Sequence, residues 1–288
     1  MRAIALVLGL SVWLLGPVAS GQTLIERGEY VLRAGGCVAC HTDVDNDGAY
    51  LAGGREFTTP FGAFFSPNIT PDPTDGIGGW SIADFTTALT RGEGPGGIHY
   101  YPVFPYTSYS GMRPEDVQAL FAYLRSVEPV PQADRLPDLP WYMQFRFINR
   151  VWKYLFFKST EPPDDMSEPV LRGAYLVTVL GHCGECHTPR NLFGVLDDEL
   201  FLAGTKDGPD GDAVPNITPD RETGIGRWSR ATLIRYLTKG MEPDGDFAGG
   251  VMVDVIDESL RHLSYSDIEA IVDYLKSIPP VSNQVGDP

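Results

Sequence analysis

Positive charge is scarce in this chain. Only 22 Lys and Arg stand against 38 Asp and Glu in 288 residues, a formal net charge of −16. An excess of that sign excludes nucleic acid as a partner. Cysteine is limited to four residues, histidine to five and methionine to six. Beyond the N-terminal segment no apolar run is long enough to span a bilayer. Hydrophobic residues are not lacking: at 43% they exclude a disordered chain. Thirty-two glycines and 24 prolines imply a loop-rich architecture. The length suffices for two domains, each with its own core.

The N-terminus has a basic start at Arg2, an apolar run from Ala3 to Val18, and then the small residues Ala19-Ser20-Gly21. That order reads as a secretory signal over residues 1–21, with an uncleaved anchor as the alternative. In an exported chain four cysteines would ordinarily form two disulfides. Here each pair is followed at once by histidine, in Cys37-Val38-Ala39-Cys40-His41 and Cys183-Gly184-Glu185-Cys186-His187. This is the attachment pattern of c-type haem. Two thiols at this spacing reach the two vinyl groups of one porphyrin, and the adjacent histidine is delivered to the iron. A zinc knuckle would pool ligands from both pairs, and a thioredoxin-like site needs no such histidine.

The chain also repeats itself. Ser66-Pro67-Asn68-Ile69-Thr70-Pro71-Asp72 returns as Val214-Pro215-Asn216-Ile217-Thr218-Pro219-Asp220. Gly76-Ile77-Gly78-Gly79-Trp80 returns as Gly224-Ile225-Gly226-Arg227-Trp228, and Arg27-Gly28-Glu29-Tyr30 as Arg172-Gly173-Ala174-Tyr175. Val117, Leu120, Phe121 and Leu124 share one helix face, and Ile268, Ile271, Val272 and Leu275 copy the spacing. The expected fold is therefore mainly α: two tandem class I cytochrome c-like haem domains with long loops, at 22–130 and 169–288. Each runs from an N-terminal helix ending near the haem motif, through a loop-rich middle, to a C-terminal amphipathic helix.

An aromatic-rich connector, 131–168, joins the two. Its proline-rich start is expected to be extended. Residues 141–158 are basic and crowded with aromatics inside an acidic protein. The favoured reading is a strut whose aromatics pack between the domains. A peripheral membrane helix or a docking surface is the alternative.

An electron-transfer haem takes a second axial ligand, most often methionine. Past Met1 the candidates are Met112, Met143, Met166, Met241 and Met252. Met252 lies ahead of the last helix and is assigned to the second haem with His187. The repeat carries Met252 back to Phe104, which cannot ligate iron. Met112 is therefore assigned to the first haem with His41, and His99 is its competitor. Trp80 and Trp228 are read equally as propionate donors or core aromatics. The Asn68 and Asn216 loops are read as haem-edge elements or asparagine turns, and His182 and His262 as surface histidines.

With these motifs and Tyr101-Pro102-Val103-Phe104-Pro105-Tyr106, the chain resembles the cytochrome c subunits of bacterial periplasmic and membrane-bound dehydrogenases, the alcohol and gluconate types among them. The resemblance spans nearly the whole chain after the signal, although many such subunits have three haem domains. It implies two covalently attached haems c and a periplasmic, non-enzymatic role in electron transfer. A dehydrogenase catalytic subunit would be the donor, and the acceptor would lie on the quinone or terminal-oxidase side. A dihaem enzyme such as a peroxidase, with an open first haem, is the alternative.

Overall fold

The computed structural model describes residues 22–161, 168–208 and 211–286. The segment read as a secretory signal, 1–21, and Met166 lie outside them. The described residues are mainly helical, with two short antiparallel hairpins among them, β1 (Glu56–Thr59) with β2 (Gly62–Phe65) and β3 (Glu93–Gly94) with β4 (Ile98–His99).

In the first half, α1 (Leu24–Ala34) starts at Thr23, which exchanges hydrogen bonds with Glu26 in a capping box. The short α2 (Cys37–His41) follows, and α3 (Ile82–Arg91) opens with a second capping box, Ser81 with Asp84. A turn of helix, α4 (Tyr106–Tyr109), precedes α5 (Pro114–Leu124), whose Pro114 occupies the first turn, where no N–H is needed. Val117, Leu120 and Leu124 are buried, as their spacing predicts. After an extended stretch comes α6 (Phe147–Phe156).

The second half repeats this order. α7 (Pro169–Tyr175) runs into a π-helical turn at Leu176–Leu180, and α8 (Gly184–His187) follows. Then come α9 (Arg230–Lys239), α10 (Val251–Glu258) and α11 (Tyr265–Ser277), which buries Ile268, Ile271, Val272 and Leu275. The π turn has a sequence cause. Cys37 follows Tyr30 by seven positions, but Cys183 follows Tyr175 by eight. The extra residue is absorbed by widening one turn, so Gly181 N–H donates back five residues to Leu176.

Within each half the first and last helices cross at a glycine. A Cβ on Gly28 would sit 2.0 Å from the Ala119 carbonyl oxygen of α5, and one on Gly173 would sit 1.9 Å from that of Ala270 in α11. Backbone cannot retreat from such a contact, so the repeated glycine sets the helix separation.

The flanking Arg and Tyr of the same repeat tie the halves together. Arg27 pairs with buried Asp116 at 2.7 Å, and Tyr175 of the other half donates to the second oxygen of that carboxylate at 2.7 Å. Reciprocally, Arg172 pairs with Asp267 at 2.6 Å, and Tyr30 donates to Asp267 at 2.5 Å. Each half thus completes the other's ion pair. Arg27, Tyr30, Asp116, Arg172 and Asp267 line a polar cleft of about 370 Å³, whose charges are already paired within the protein.

Candidate cofactor site

Both Cys-x-x-Cys-His segments take up the same local structure. In each, a short helix holds the second cysteine and the histidine, and the backbone then turns extended at Thr42 and at Thr188. The four cysteines form no disulfide with one another. Burial, ahead of the neighbouring thiol, pushes Cys37 and Cys183 up to about 12. Burial also raises Cys40 and takes Cys186 to about 11.

The histidines carry the clearest geometry. His41 Nδ1 is 2.7 Å from the Pro67 carbonyl, and His187 Nδ1 is 2.8 Å from the Pro215 carbonyl. A carbonyl can only accept, so Nδ1 bears the proton and each Nε2 keeps its lone pair. Burial lowers the pKa of both rings, and the carbonyl contact only partly offsets it, which favours the neutral, ligating form. A carbonyl that accepts from the far ring nitrogen in this way fixes the orientation of a metal-ligating histidine.

The repeated Pro-Asn-Ile-Thr loop supplies that carbonyl. Asn68 and Asn216 are almost fully buried, and each accepts from the N–H and hydroxyl of the threonine two residues on. The Asn68 amide donates to the Val130 and Gln132 carbonyls, and the Asn216 amide donates to Val281. They are asparagine turns and, through the preceding proline, elements of the site. Trp80 and Trp228 pack against the core beside them.

A further repeat, Leu51-Ala52-Gly53 and Leu202-Ala203-Gly204, escaped the sequence reading. Gly53 N–H donates to the His41 carbonyl at 2.8 Å, and Gly204 N–H to that of His187 at 2.7 Å. Their φ values of +76° and +82° and their approach to the Pro-Asn backbone exclude a side chain. Leu51 and Leu202 are fully buried at φ +59° and +61°, a conformation rare for leucine. Each N–H donates to the threonine after the histidine, at 3.1 and 3.0 Å. Two matched left-handed leucines were the missed signal, and a three-residue repeat of common residues is weak in sequence.

The two attachment segments also face each other. Glu185, between the cysteines of the second motif, accepts from Thr107 at 3.0 Å and Ser108 at 2.9 Å on α4 of the first half, and pairs with Arg190. Arg55 of the first half donates to the Ala39 carbonyl, between the cysteines of the first motif, and pairs with Asp254 on α10 at 2.6 Å. Between the segments lies Tyr109, whose hydroxyl donates to the Gly35 carbonyl at 2.7 Å and whose ring meets His182 edge-on at 5.4 Å. His182 is thus placed at the contact between halves rather than on the open surface. His262 is exposed, as expected.

Met112 is buried one residue ahead of Arg113, the cap of α5. Met252 is half-buried in the first turn of α10. Both belong to the core that also takes in Cys37 and Cys183. His99 sits on β4 beneath α6, where its Nδ1 accepts from Lys153 at 3.1 Å. The chemistry of the donors fits haem c: paired thiols one helical turn apart, a neutral imidazole with a free Nε2, and thioethers at Met112 and Met252.

A mainly helical, loop-rich chain with thiol pairs and carbonyl-held histidines defines the class of c-type cytochromes. The family model described as Cytochrome c matches residues 25–128. A protein named diheme cytochrome c-type from Cereibacter sphaeroides is 42% identical over 97% of each chain. The gluconate 2-dehydrogenase cytochrome c subunit of Pantoea cypripedii is 42% identical over 96% of this chain and 64% of its own length. The alcohol dehydrogenase (quinone) cytochrome c subunit of Gluconobacter oxydans is 39% identical over 90% of this chain and 56% of its own. The chain belongs to the cytochrome c family and binds haem c covalently. It spans roughly three-fifths of the dehydrogenase cytochrome subunits it matches. Among the described residues no helix is long and apolar enough to cross a membrane.

Proposed function

We propose that this chain is a periplasmic dihaem cytochrome c made of two tandem haem domains, 22–130 and 169–288. It would pass electrons from a dehydrogenase catalytic subunit toward the quinone or terminal-oxidase side of a respiratory chain. In this reading Cys37, Cys40 and His41 hold one haem and Cys183, Cys186 and His187 the other. Met112 and Met252 complete the iron coordination. The observation that carries it is the matched pair of histidines, each locked through Nδ1 to a proline carbonyl directly after a thiol pair.

Bound haem supplies a one-electron couple at iron. The protein's part is to hold the two attachment segments against each other and to exclude water. Glu185 of the second segment accepts from Thr107 and Ser108 of the first half, and Tyr109 reaches the Gly35 carbonyl just before the first segment. This proximity supports transfer between the haems within one chain. The engagement of His99 by Lys153 favours Met112 as the sixth ligand of the first haem.

A haem assay of the purified protein is expected to return two haems per chain. The oxidised spectrum should carry the far-red band of methionine-ligated haem at an intensity equal to two such centres. Met112→Ala and Met252→Ala should each remove half of it and create one high-spin haem. A high-spin signal with peroxide turnover in the unaltered protein would refute the electron-transfer reading.

A further inference from the structure

Helix α6 is amphipathic in the wrong sense for a helix resting on its own protein. Its outward residues are Phe147, Val151, Tyr154 and Leu155, which are 65%, 50%, 89% and 61% exposed. Its inward residues include Asn149, which is buried and donates to the His99 carbonyl at 3.1 Å. Lys153 also points in, and its ammonium donates to the Arg91 and Gly92 carbonyls at 2.7 and 2.6 Å. A helix covering a core turns its apolar stripe inward and its polar residues to water. Here the polar groups anchor the helix, and the apolar stripe is left facing out. Of the connector aromatics, Trp152 donates to the Phe193 carbonyl and Phe156 stacks on the Phe193 ring, and both are half-buried.

The apolar surface continues beyond the helix. Trp141 and Phe145 are 75% and 52% exposed, and Leu192 and Phe193 of the second half are 92% and 64% exposed. An apolar surface gathered from both halves marks an interaction site. Its charge selects the occupant. Residues 141–158 contain Arg146, Arg150, Lys153 and Lys158 and no acidic residue, in a chain of net charge −16. Arg150 is exposed at the edge of the stripe, Arg146 is exposed with its guanidinium over the Tyr101 ring at 4.5 Å, and Lys158 lies beside Asp198. Exposed Trp, Tyr and Phe bordered by arginine match the water–hydrocarbon boundary of an anionic bilayer. At ten residues the helix is too short to span a membrane, but it can lie along one.

We propose that α6, with the aromatic turn before it, docks the protein peripherally on an anionic lipid surface. Phe147, Tyr154 and Leu155 would enter the acyl boundary, and Arg146 and Arg150 would meet the headgroups. The acidic remainder of the protein would be repelled from the same surface, so contact would occur in one orientation.

The test is flotation of the full-length, haem-loaded protein with vesicles of phosphatidylcholine alone or mixed with phosphatidylglycerol. Flotation with the anionic vesicles, weakened by salt, is expected. Exposed positions permit a triple variant, Phe147→Ser with Tyr154→Ser and Leu155→Ser, whose haem spectrum should be unchanged. Its partitioning should fall by at least roughly tenfold. Arg150→Glu should weaken binding to anionic vesicles and leave the phosphatidylcholine control unchanged. Absence of flotation of the parent would overturn the proposal. So would flotation that survives the triple variant, which would assign binding to the N-terminal apolar segment common to all forms. A parent that dimerises without binding vesicles, and a variant that is monomeric, would assign the face to a second copy instead.

Discussion

Replacing Tyr175 by Phe removes one hydroxyl from the contact between the halves and should destabilise the whole protein. Tyr175 is fully buried. Its hydroxyl donates to Asp116 Oδ2 at 2.7 Å and accepts from the Arg113 N–H at 3.1 Å. Arg27 makes both of its bonds to the other oxygen, Oδ1, so phenylalanine leaves Oδ2 without that donor. A hydrogen bond to a charged acceptor contributes about 1.5–3 kcal/mol, and a stranded N–H adds about 1 kcal/mol. The expected loss is about 3 kcal/mol, a fall in unfolding midpoint of roughly 6–12 °C at this chain size. Tyr30→Phe gives the internal control. Asp267 retains bonds from Arg172 to both oxygens, at 2.9 and 2.6 Å, and Tyr30 is only half-buried, so water can replace its hydroxyl. Its loss should be about half as large. Thermal unfolding of the haem-loaded variants, followed by far-ultraviolet circular dichroism, measures both. A Tyr175→Phe midpoint within about 1 °C of the parent, or a larger effect for Tyr30→Phe, would refute reciprocal pairing as the bond between the halves.

Gly173→Ala should cost roughly 3 kcal/mol or more, read in the same melt, because its Cβ would meet the Ala270 carbonyl rather than a movable side chain. Burial raises the pKa of Asp267, but hydrogen bonds from Arg172 and Tyr30 outweigh it and leave the group below its ordinary value. Its contribution is therefore complete above the unfolded carboxylate pKa, about 3.9. It is lost as pH falls from there through the folded value. Asp267→Asn should flatten the acid limb of a stability–pH curve and leave the slope near neutrality unchanged. Glu185→Gln removes a carboxylate from between Cys183 and Cys186, so the reduction wave of the haem proposed at that pair should move to higher potential in a spectroelectrochemical titration. An unmoved wave would place that carboxylate too far from the iron to matter.

How much was legible in the sequence varied with the range of the interaction. The thiol pairs, their histidines and the apolar faces of α5 and α11 were visible because they depend on spacing along one segment. The Pro-Asn-Ile-Thr repeat was visible too, but its use was not. That Pro67 and Pro215 hold the histidines depends on a contact 26 or 28 residues away, which no local pattern encodes. The same holds for Arg-Gly-x-Tyr: the sequence showed that it recurs. Its glycine meets a helix of the same half, whereas its tyrosine crosses to the other half.

The sequence by itself determined the chemistry, because covalent haem attachment needs only adjacent residue types in a fixed order. It also determined the duplication. Only the tertiary structure decided how the halves meet, because each buried carboxylate takes its arginine from one half and its tyrosine from the other. It decided the direction of α6 as well. Aromatic content along a chain says that a segment is apolar, but which face turns outward depends on the anchors. Here Asn149 and Lys153 find backbone carbonyls beneath the helix and turn its aromatic stripe to the outside.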